Sequence, residues 1–370
     1  MTSRPDIAVI LCTYNPDPGV FSRVLQGLSA SEFRRDANAE FLIVDNRSPV
    51  PVRTLAPVLE FQKKNPGGRI IHESRQGLLY ARMAGAEATS APILLFMDDD
   101  MIPGADYLPI VLGQFGQSSR LGIIGAGHVA VEFSSPVYFA RKRRLEKIFY
   151  GRHGGSRIQE TEQFFSGSRD TFFWGVRHWL RSWPLEKPFP LGAGMAIRRQ
   201  TFDSFVAELE HNDPPVVGRQ PQRLGGAEDL LMVLSALKQD RYVDMHPGLK
   251  LTHCIPPSRR TAAYIHRLNY ASSYDCLQTL IATLPGRRND LVAEFSRAPK
   301  WFIRLAAALV RDLVSTPGLF PHAASALGVI AAAQKENAGS RRSARTLARR
   351  FHWESGSEMD GNNREETPNP

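Results

Sequence analysis

Residues 91–103 read APILLFMDDDMIP, an apolar run that ends on three consecutive aspartates, Asp98, Asp99 and Asp100. The run from Ile93 to Met97 has the length and composition of a buried strand. Adjacent carboxylates repel one another, and a divalent cation at this point would remove the repulsion. Mg²⁺ and Mn²⁺ bind such oxygen ligands together with phosphates. We therefore expect a Mg²⁺ or Mn²⁺ site here, the alternative being a solvated acidic loop.

A phosphatase of the haloacid dehalogenase type also places two aspartates after a strand. That class needs a small hydroxyl residue soon after the second aspartate, whereas Met101, Ile102 and Pro103 follow here. The sequence therefore argues against an aspartyl nucleophile.

Upstream of the triplet, short apolar segments alternate with helix-like segments. The predicted strands are IAVILC (7–12), EFLIVD (40–45) and RIIHE (69–73), and the predicted helices include FSRVLQGLSA (21–30) and QGLLYARMAGAEA (76–88). This alternation predicts an α/β fold with a mixed, mainly parallel sheet flanked by helices. Polar residues follow three of the strands, and ligands of such sheets bind beyond the carboxyl ends of the strands. We therefore expect these residues to share one crevice.

Two later motifs carry groups suited to chemistry. In GGAEDLL (225–231), Glu228 and Asp229 open a predicted helix, where they could cap it or where one could act as a general base. His253 ends the second strand of a predicted strand–turn–strand over 242–254. A neutral imidazole is a sound Mn²⁺ ligand, although a histidine at a strand end also serves structural roles. The residues alone leave both choices open.

The order of these motifs resembles that of the family 2 glycosyltransferases of the GT-A fold. The motifs are CTYN, VDN, GLLYARMAGAEA, MDDD, GAGMAIRR, GGAEDLL and LTHCIPPSR, over roughly residues 6–260. The resemblance implies an inverting, metal-dependent enzyme that moves one sugar from a nucleotide-diphosphate sugar, with UDP favoured. The implied acceptor is a saccharide or a lipid-linked sugar, in bacterial surface polysaccharide biosynthesis. The alternative is a non-catalytic nucleotide-sugar-binding or regulatory protein on the same fold.

The resemblance also implies roles for single residues. It assigns Asp229 as the catalytic base and Asp100 and His253 as metal ligands. The residues it assigns to donor binding are Thr13, Tyr14, Asp45, Arg75, Arg82, Asp98, Asp99, Gly192 and Gly194. The sequence departs from the family at Met83, where asparagine is frequent, and at the extra Ala227. The QxxRW signature of processive synthases is absent, which favours transfer of a single sugar.

Three regions follow from the resemblance and the composition. We predict a GT-A catalytic domain over 1–260, a helical region over 261–338, and a disordered tail over 339–370 that is basic and then acidic. Within the first region, 128–190 is a basic, aromatic insertion. Its Trp174 and Trp179 could stack on an acceptor sugar, or could belong to a core helix or lid.

The formal net charge of +9 admits nucleic acid, a membrane surface or a phosphate-bearing ligand as partners. Because the basic residues are scattered and no reader motif is present, we expect no nucleic-acid partner. The N-terminal segment lacks a signal-peptide pattern, and the three cysteines are few and unclustered. These features predict a cytoplasmic location.

A helix predicted after residue 299 bears on membrane association. Its cationic face carries Lys300, Arg304 and Arg311, and its apolar face carries Phe302, Leu305, Leu309 and Leu313. A cationic amphipathic helix can lie in a bilayer interface, which would make the protein peripheral on the inner face of the cell membrane. The alternative is that the apolar face packs on the catalytic domain.

Overall fold

A computed structural model of the chain describes the residues 4–30, 38–133, 145, 189–211, 218–219, 224–297, 300–316, 319–336 and 345. Most of the predicted insertion, including Trp174 and Trp179, and most of the predicted tail lie outside the described residues. The first part of the insertion, 128–133, continues a strand.

The strands of the described residues form one eight-stranded sheet in the order β3-β2-β1-β4-β7-β6-β8-β5. They are β1 (Ile7–Thr13), β2 (Ala39–Asp45), β3 (Arg69–His72), β4 (Ile93–Asp98), β5 (Met101–Pro103), β6 (Leu121–Phe133), β7 (Met195–Arg198) and β8 (Tyr242–Ile255). The pairs β1–β2, β1–β4, β2–β3 and β6–β8 are parallel, and β4–β7, β6–β7 and β5–β8 are antiparallel. The predicted mixed, mainly parallel sheet is confirmed.

Helices cover both faces of the sheet. They are α1 (Pro18–Ser29), α2 (Ala56–Lys64), α3 (Leu78–Glu87), α4 (Tyr107–Gln117), α5 (Arg199–His211) and α6 (Glu228–Lys238). Alternate residues of β1 point to opposite cores: Ile10 packs towards α3 and α6, and Val9 packs towards α1 and α4. At Gly85 of α3, a Cβ would lie 2.3 Å from the Ile10 side chain. Only glycine therefore allows α3 to lie this close to β1.

The strand β8 corrects one prediction. The strand–turn–strand expected over 242–254 is a single strand that pairs with β6 along its length. The register moves from Ala126 opposite His246 to His128 opposite Lys250, so an irregular stretch around Pro247 replaces the turn. The prediction was wrong because a Pro-Gly pair can be taken up by a bulge without reversing the chain.

The helical C-terminal extension is present, as predicted. Its helices are α7 (Ala262–Thr283), α8 (Arg288–Ser296), α9 (Lys300–Ser315) and α10 (Pro321–Lys335). The helix α10 packs along α7, where a Cβ on Gly328 would lie 2.2 Å from the Tyr270 carbonyl oxygen. The helix α9 packs on α10 and α8. In the part of the chain that the structure describes, no helix combines the length and apolar character needed to cross a membrane.

Candidate active site

A cleft opens at the carboxyl ends of the central strands, beside the start of α6. This is the edge at which ligands of parallel sheets bind. The cleft brings together six of the predicted site residues, which are Arg82, Asp98, Asp100, Gly192, Asp229 and His253. It is also lined by Arg219, Arg259 and Tyr264, which were not predicted. Of the three strand ends expected to share one crevice, only that of β4 contributes residues to the lining of this cleft.

Asp100 lies between His253 of β8 and Arg259 of the turn that follows β8. Its Oδ2 atom is 3.3 Å from His253 Nε2 and 2.6 Å from Arg259 Nη1. The backbone fixes this arrangement, because Met101 is paired with His253 across β5 and β8. Burial opposes ionisation, but His253 and Arg259 outweigh it and hold the pKa of the Asp100 carboxyl well below its usual range. Asp100 is therefore a carboxylate at neutral pH.

Asp99 turns towards β1. Its Oδ2 atom accepts a hydrogen bond of 2.5 Å from Thr13 Oγ1. Burial and the neighbouring charge of Asp100 raise the pKa of the Asp99 carboxyl to about 7, although the hydrogen bond from Thr13 acts in the opposite direction. The triplet is thus divided: Asp98 and Asp100 line the cleft, and Asp99 joins two strand ends beside it.

Arg82 is fully buried beneath the cleft. Its Nη2 atom lies 3.8 Å from Asp98 Oδ1, and its Nη1 atom lies 3.5 Å from Glu228 Oε1. Burial raises the pKa of both carboxyls above their usual values, although Arg82 acts in the opposite direction. A Cβ on Gly192 would lie 2.3 Å from Arg82 Nη2, so the glycine makes room for the guanidinium. Arg82 links the end of β4 to the start of α6.

The start of α6 separates the two acidic residues of GGAEDLL. Both acids line the cleft, but Glu228 is buried against Arg82, whereas Asp229 is half-buried. The N-cap residue is Ala227, which has no side chain to cap the helix, so neither acid is the N-cap. Both lie in the first turn, where a carboxylate is favoured by the helix dipole. Asp229 is the more exposed of the two acids that line the cleft.

The loop after β2 uses Asp45 to hold its own backbone. The Asp45 carboxylate accepts hydrogen bonds of 2.9 Å from the Ser48 N–H and 3.1 Å from the Val52 N–H. The next residue, Asn46, accepts from the Gly77 N–H and so ties this loop to the start of α3. Asp45 lies at the expected sheet edge but outside the cleft lining. Its contact with a nucleotide base stays a prediction.

Three other predicted donor residues do not line the cleft. Tyr14 is exposed at the end of β1. Arg75 forms an ion pair of 2.9 Å with Glu73. Gly194 has a φ of +81°, and its carbonyl oxygen accepts a hydrogen bond of 2.6 Å from the Tyr107 hydroxyl. Their roles in donor binding also stay predictions.

The donor set at the cleft fits a divalent cation. In the described part of the chain, no group of three or more His, Cys, Asp or Glu side chains is arranged to hold an ion alone. Asp100 and His253 supply two ligands, and Mg²⁺ or Mn²⁺ usually completes its shell with phosphate oxygens and water. Asp98 Oδ1 is buried and accepts no hydrogen bond from a described residue. The residues therefore fit a cation that a bound diphosphate helps to hold.

Of the cleft residues that were not predicted, Arg259 could have been found from the sequence and Arg219 could not. Arg259 lies in LTHCIPPSR, six residues after His253, and a cation so close to a predicted metal ligand was a usable signal. Arg219 reaches the cleft through its loop, and its backbone oxygen accepts from the Leu78 N–H. Nothing in its sequence surroundings indicated that position.

Comparison with known proteins identifies the class. Residues 8–181 match the family model for glycosyl transferase family 2. The family resemblance carried by the motifs is thereby confirmed over this part of the chain. A search of curated proteins by sequence found no match.

Two solved structures are similar over most of the chain. One is the mannosyltransferase PcManGT from Pyrobaculum calidifontis, solved with GDP-Man and Mn²⁺. It shares 19% identity with a TM-score of 0.45, over 95% of this chain and 80% of that one. The other is GalNAc-T7, solved with UDP, GalNAc and Mn²⁺. It shares 14% identity with a TM-score of 0.49, over 86% of this chain and 59% of that one. Both scores lie below 0.5, so the family match carries the identification.

Proposed function

We propose that the protein is an inverting, metal-dependent glycosyltransferase that moves one sugar from a nucleotide-diphosphate sugar to an acceptor hydroxyl. One observation carries the proposal: Asp229 and the group formed by Asp100, His253 and Arg259 line the same cleft. A base and a set of residues suited to a diphosphate thus face one space. Sugar transfer needs both at once.

The diphosphate gains negative charge as it leaves the sugar, and catalysis requires that this charge be stabilised. Arg259 and Arg219 supply positive charge in the cleft from this chain's own side chains. A divalent cation held by Asp100 and His253 would act there as a Lewis acid. Because Asp100 is a carboxylate at neutral pH, it is in the form that binds a cation.

Asp229 is the proposed general base. Its carboxylate takes the proton from the acceptor hydroxyl, and the hydroxyl oxygen attacks the anomeric carbon on the face opposite the departing diphosphate, which inverts the configuration. Glu228 is unsuited to this role because it is buried and held by Arg82. A carboxylate at the start of α6 also has a defined position, since Asp229 Oδ1 accepts from the Leu230 N–H.

The finer assignments come from the family resemblance. They are UDP as the donor nucleotide, a saccharide or lipid-linked sugar as the acceptor, and bacterial surface polysaccharide biosynthesis as the setting. The acceptor side is proposed to involve Trp174 and Trp179, which lie outside the described residues.

The test is release of nucleoside diphosphate from a panel of UDP-, GDP- and dTDP-sugars with Mn²⁺ and mixed saccharide acceptors. We expect Asp229→Asn to lower kcat by about 10²- to 10⁴-fold, the range of general-base catalysis, with little change in donor KM. Asp106→Asn is the matched control, because Asp106 also stands at a helix start but is exposed and outside the cleft.

The same assay addresses the non-catalytic alternative. If a donor binds the wild-type protein but no sugar is transferred to any acceptor or to water, a binding or regulatory protein would be favoured. If Asp229→Asn retains full turnover, the assignment of the base is wrong.

A further inference from the structure

The outward face of α9 is apolar. Phe302, Ile303, Val310, Leu313 and Val314 are each more than half exposed, and Val314 reaches 82%. They follow one another at helical spacing and form a stripe along a helix of 16 residues, about 24 Å long. We call these five residues the α9 stripe. Exposed apolar surface concentrated in this way marks an interaction site.

The inward side of α9 carries polar residues that make specific contacts, beside Leu305, which packs against the core. Asp312 is fully buried and accepts hydrogen bonds from the His322 N–H at 3.1 Å and the Ala323 N–H at 2.8 Å. Its Oδ1 atom also lies 2.5 Å from His322 Nδ1. Asp312 thus caps the first turn of α10, whose backbone donors would otherwise lack partners. These polar contacts therefore join α9 to the first turn of α10.

A second contact fixes the same orientation near the start of α9. Arg304 forms an ion pair with the buried Glu294 carboxylate and donates to the Glu294 carbonyl oxygen at 2.6 Å. Rotating the helix to bury the α9 stripe would leave Asp312 and Glu294 buried without these partners, which costs several kcal/mol. Of the predicted apolar face, Leu305 packs against the core, as the alternative expected, whereas Phe302 and Leu313 are more than half exposed.

The charges around the stripe favour an anionic surface as its partner. The one acidic residue of α9, Asp312, is fully buried, so the exposed surface of the helix carries no carboxylate. Lys300 and Arg311 are exposed along one border of the stripe, where the Lys300 ammonium also pairs with the Glu294 carboxylate at 3.3 Å. An apolar face bordered by cations is the pattern of a helix that lies in the bilayer interface. The net charge of +9 acts in the same direction.

We propose that α9 lies flat in the surface of an anionic lipid membrane, with the α9 stripe among the acyl chains and its cations near the lipid phosphates. This docking does not depend on the proposed sugar transfer. The helices connect it to the cleft: α9 packs on α10, α10 packs on α7, and Tyr264 and Leu268 of α7 line the cleft. Docking through α9 would thus hold the cleft at a set orientation to the membrane.

The test is flotation of the full-length protein with vesicles, either phosphatidylcholine alone or phosphatidylcholine with phosphatidylglycerol. The test variant replaces Ile303, Val310, Leu313 and Val314 by Gln. Because these side chains are exposed, we expect the variant to fold with an unchanged melting temperature. Its binding to anionic vesicles should fall at least about tenfold, since membrane affinity scales with the apolar area inserted.

The matched control carries Val50→Gln and Leu59→Gln, which remove exposed apolar side chains at 56% and 48% exposure elsewhere on the molecule. It should bind vesicles as the wild type does. Arg311→Gln should weaken binding to anionic vesicles and leave the weaker binding to neutral vesicles unchanged. The basic segment 341–350 is intact in all variants. If the protein bound through that segment alone, vesicle binding by the quadruple variant would equal that of the wild type.

Three results would overturn the proposal. The wild type could fail to bind anionic vesicles, or the quadruple variant could bind them as well as the wild type does. The third is that the wild type is a dimer and the quadruple variant a monomer in analytical ultracentrifugation. That result would assign the α9 stripe to contact with a second copy of the chain. Sugar-transfer activity measured on a soluble acceptor should be equal in wild type and variant, which separates this test from that of the proposed function.

Discussion

Arg259 Nη1 lies 2.6 Å from the Asp100 carboxylate oxygen that also faces His253. The guanidinium is thus held at the point where the proposed cation and diphosphate meet. We expect Arg259→Ala to raise the donor KM by about tenfold or more, because a charge-assisted contact to phosphate contributes roughly 1.5–3 kcal/mol. Initial-rate kinetics with a nucleotide-sugar at fixed Mn²⁺ would measure the change.

The matched control is Arg288→Ala. It removes an ion pair of the same 2.6 Å length, formed with Glu336 in the C-terminal helices. Its KM should equal that of the wild type. If Arg259→Ala leaves the KM unchanged, then Arg259 serves only to hold Asp100.

Arg82 neutralises two carboxylates beneath the cleft. Arg82→Met should lower the free energy of unfolding by about 3–5 kcal/mol, because Asp98 and Glu228 would lose their shared cation. Urea denaturation of both proteins would show it. Adding Glu228→Gln to the variant should recover part of the loss, since one buried charge is then removed. A loss below about 0.5 kcal/mol would mean that the carboxylates are protonated in the folded protein.

Gly192 is required by the guanidinium that lies against it. We expect Gly192→Ala to reduce both stability and transfer activity, because its Cβ would overlap Arg82 Nη2 at 2.3 Å and displace the charge from Asp98. Gly113→Ala is the control: it lies within α4, and no atom is within 4 Å of its Cβ. That change should stabilise the protein by about 0.5–1 kcal/mol, the helix preference for Ala. Equal melting temperatures for the two variants would contradict this reading of the cleft floor.

Asp99 predicts a pH effect in metal-free protein. The pKa of its carboxyl is raised from 3.8 to about 7, so between these values the folded state keeps a proton that the unfolded state has lost. This residue therefore lowers stability as pH rises from about 4 to 7. Asp99→Asn should have a larger stability advantage over wild type at pH 8 than at pH 4.5. Thermal unfolding at the two pH values measures it, and a difference independent of pH would be the contrary result.

The strand ends could be predicted from the sequence because the signal is local. The run 93–97 is apolar at every position, as a strand covered on both faces must be, and Asp98 and Asp100 follow it directly. The meeting of Asp100 with His253 was expected only from the family resemblance, because it depends on the pairing of β5 with β8. The division between Asp99 and its neighbours could not be predicted, since it depends on the hydrogen bond from Thr13 across two strands.

Other features depended on contacts that no local pattern shows. The amphipathic pattern of α9 could be seen in the sequence, but which face turns inward is decided by Asp312 and its contacts with the start of α10. Similarly, the burial of Arg82 depends on Glu228, which is distant in the chain. The prediction that Asp45 contacts a base could not anticipate that its carboxylate holds the Ser48 and Val52 amides.

The central claim is that Asp100 helps a divalent cation to hold a nucleotide diphosphate in the cleft. The most direct measurement is calorimetric titration of UDP, GDP and dTDP into wild type and Asp100→Asn, each with Mn²⁺ and with EDTA. Asp203→Asn, on the exposed side of α5, serves as the control. The account predicts that one nucleotide binds wild type and the control only with Mn²⁺, and that Asp100→Asn weakens this binding at least about tenfold. Equal binding by Asp100→Asn, or no binding of any nucleotide to wild type with Mn²⁺, would contradict it.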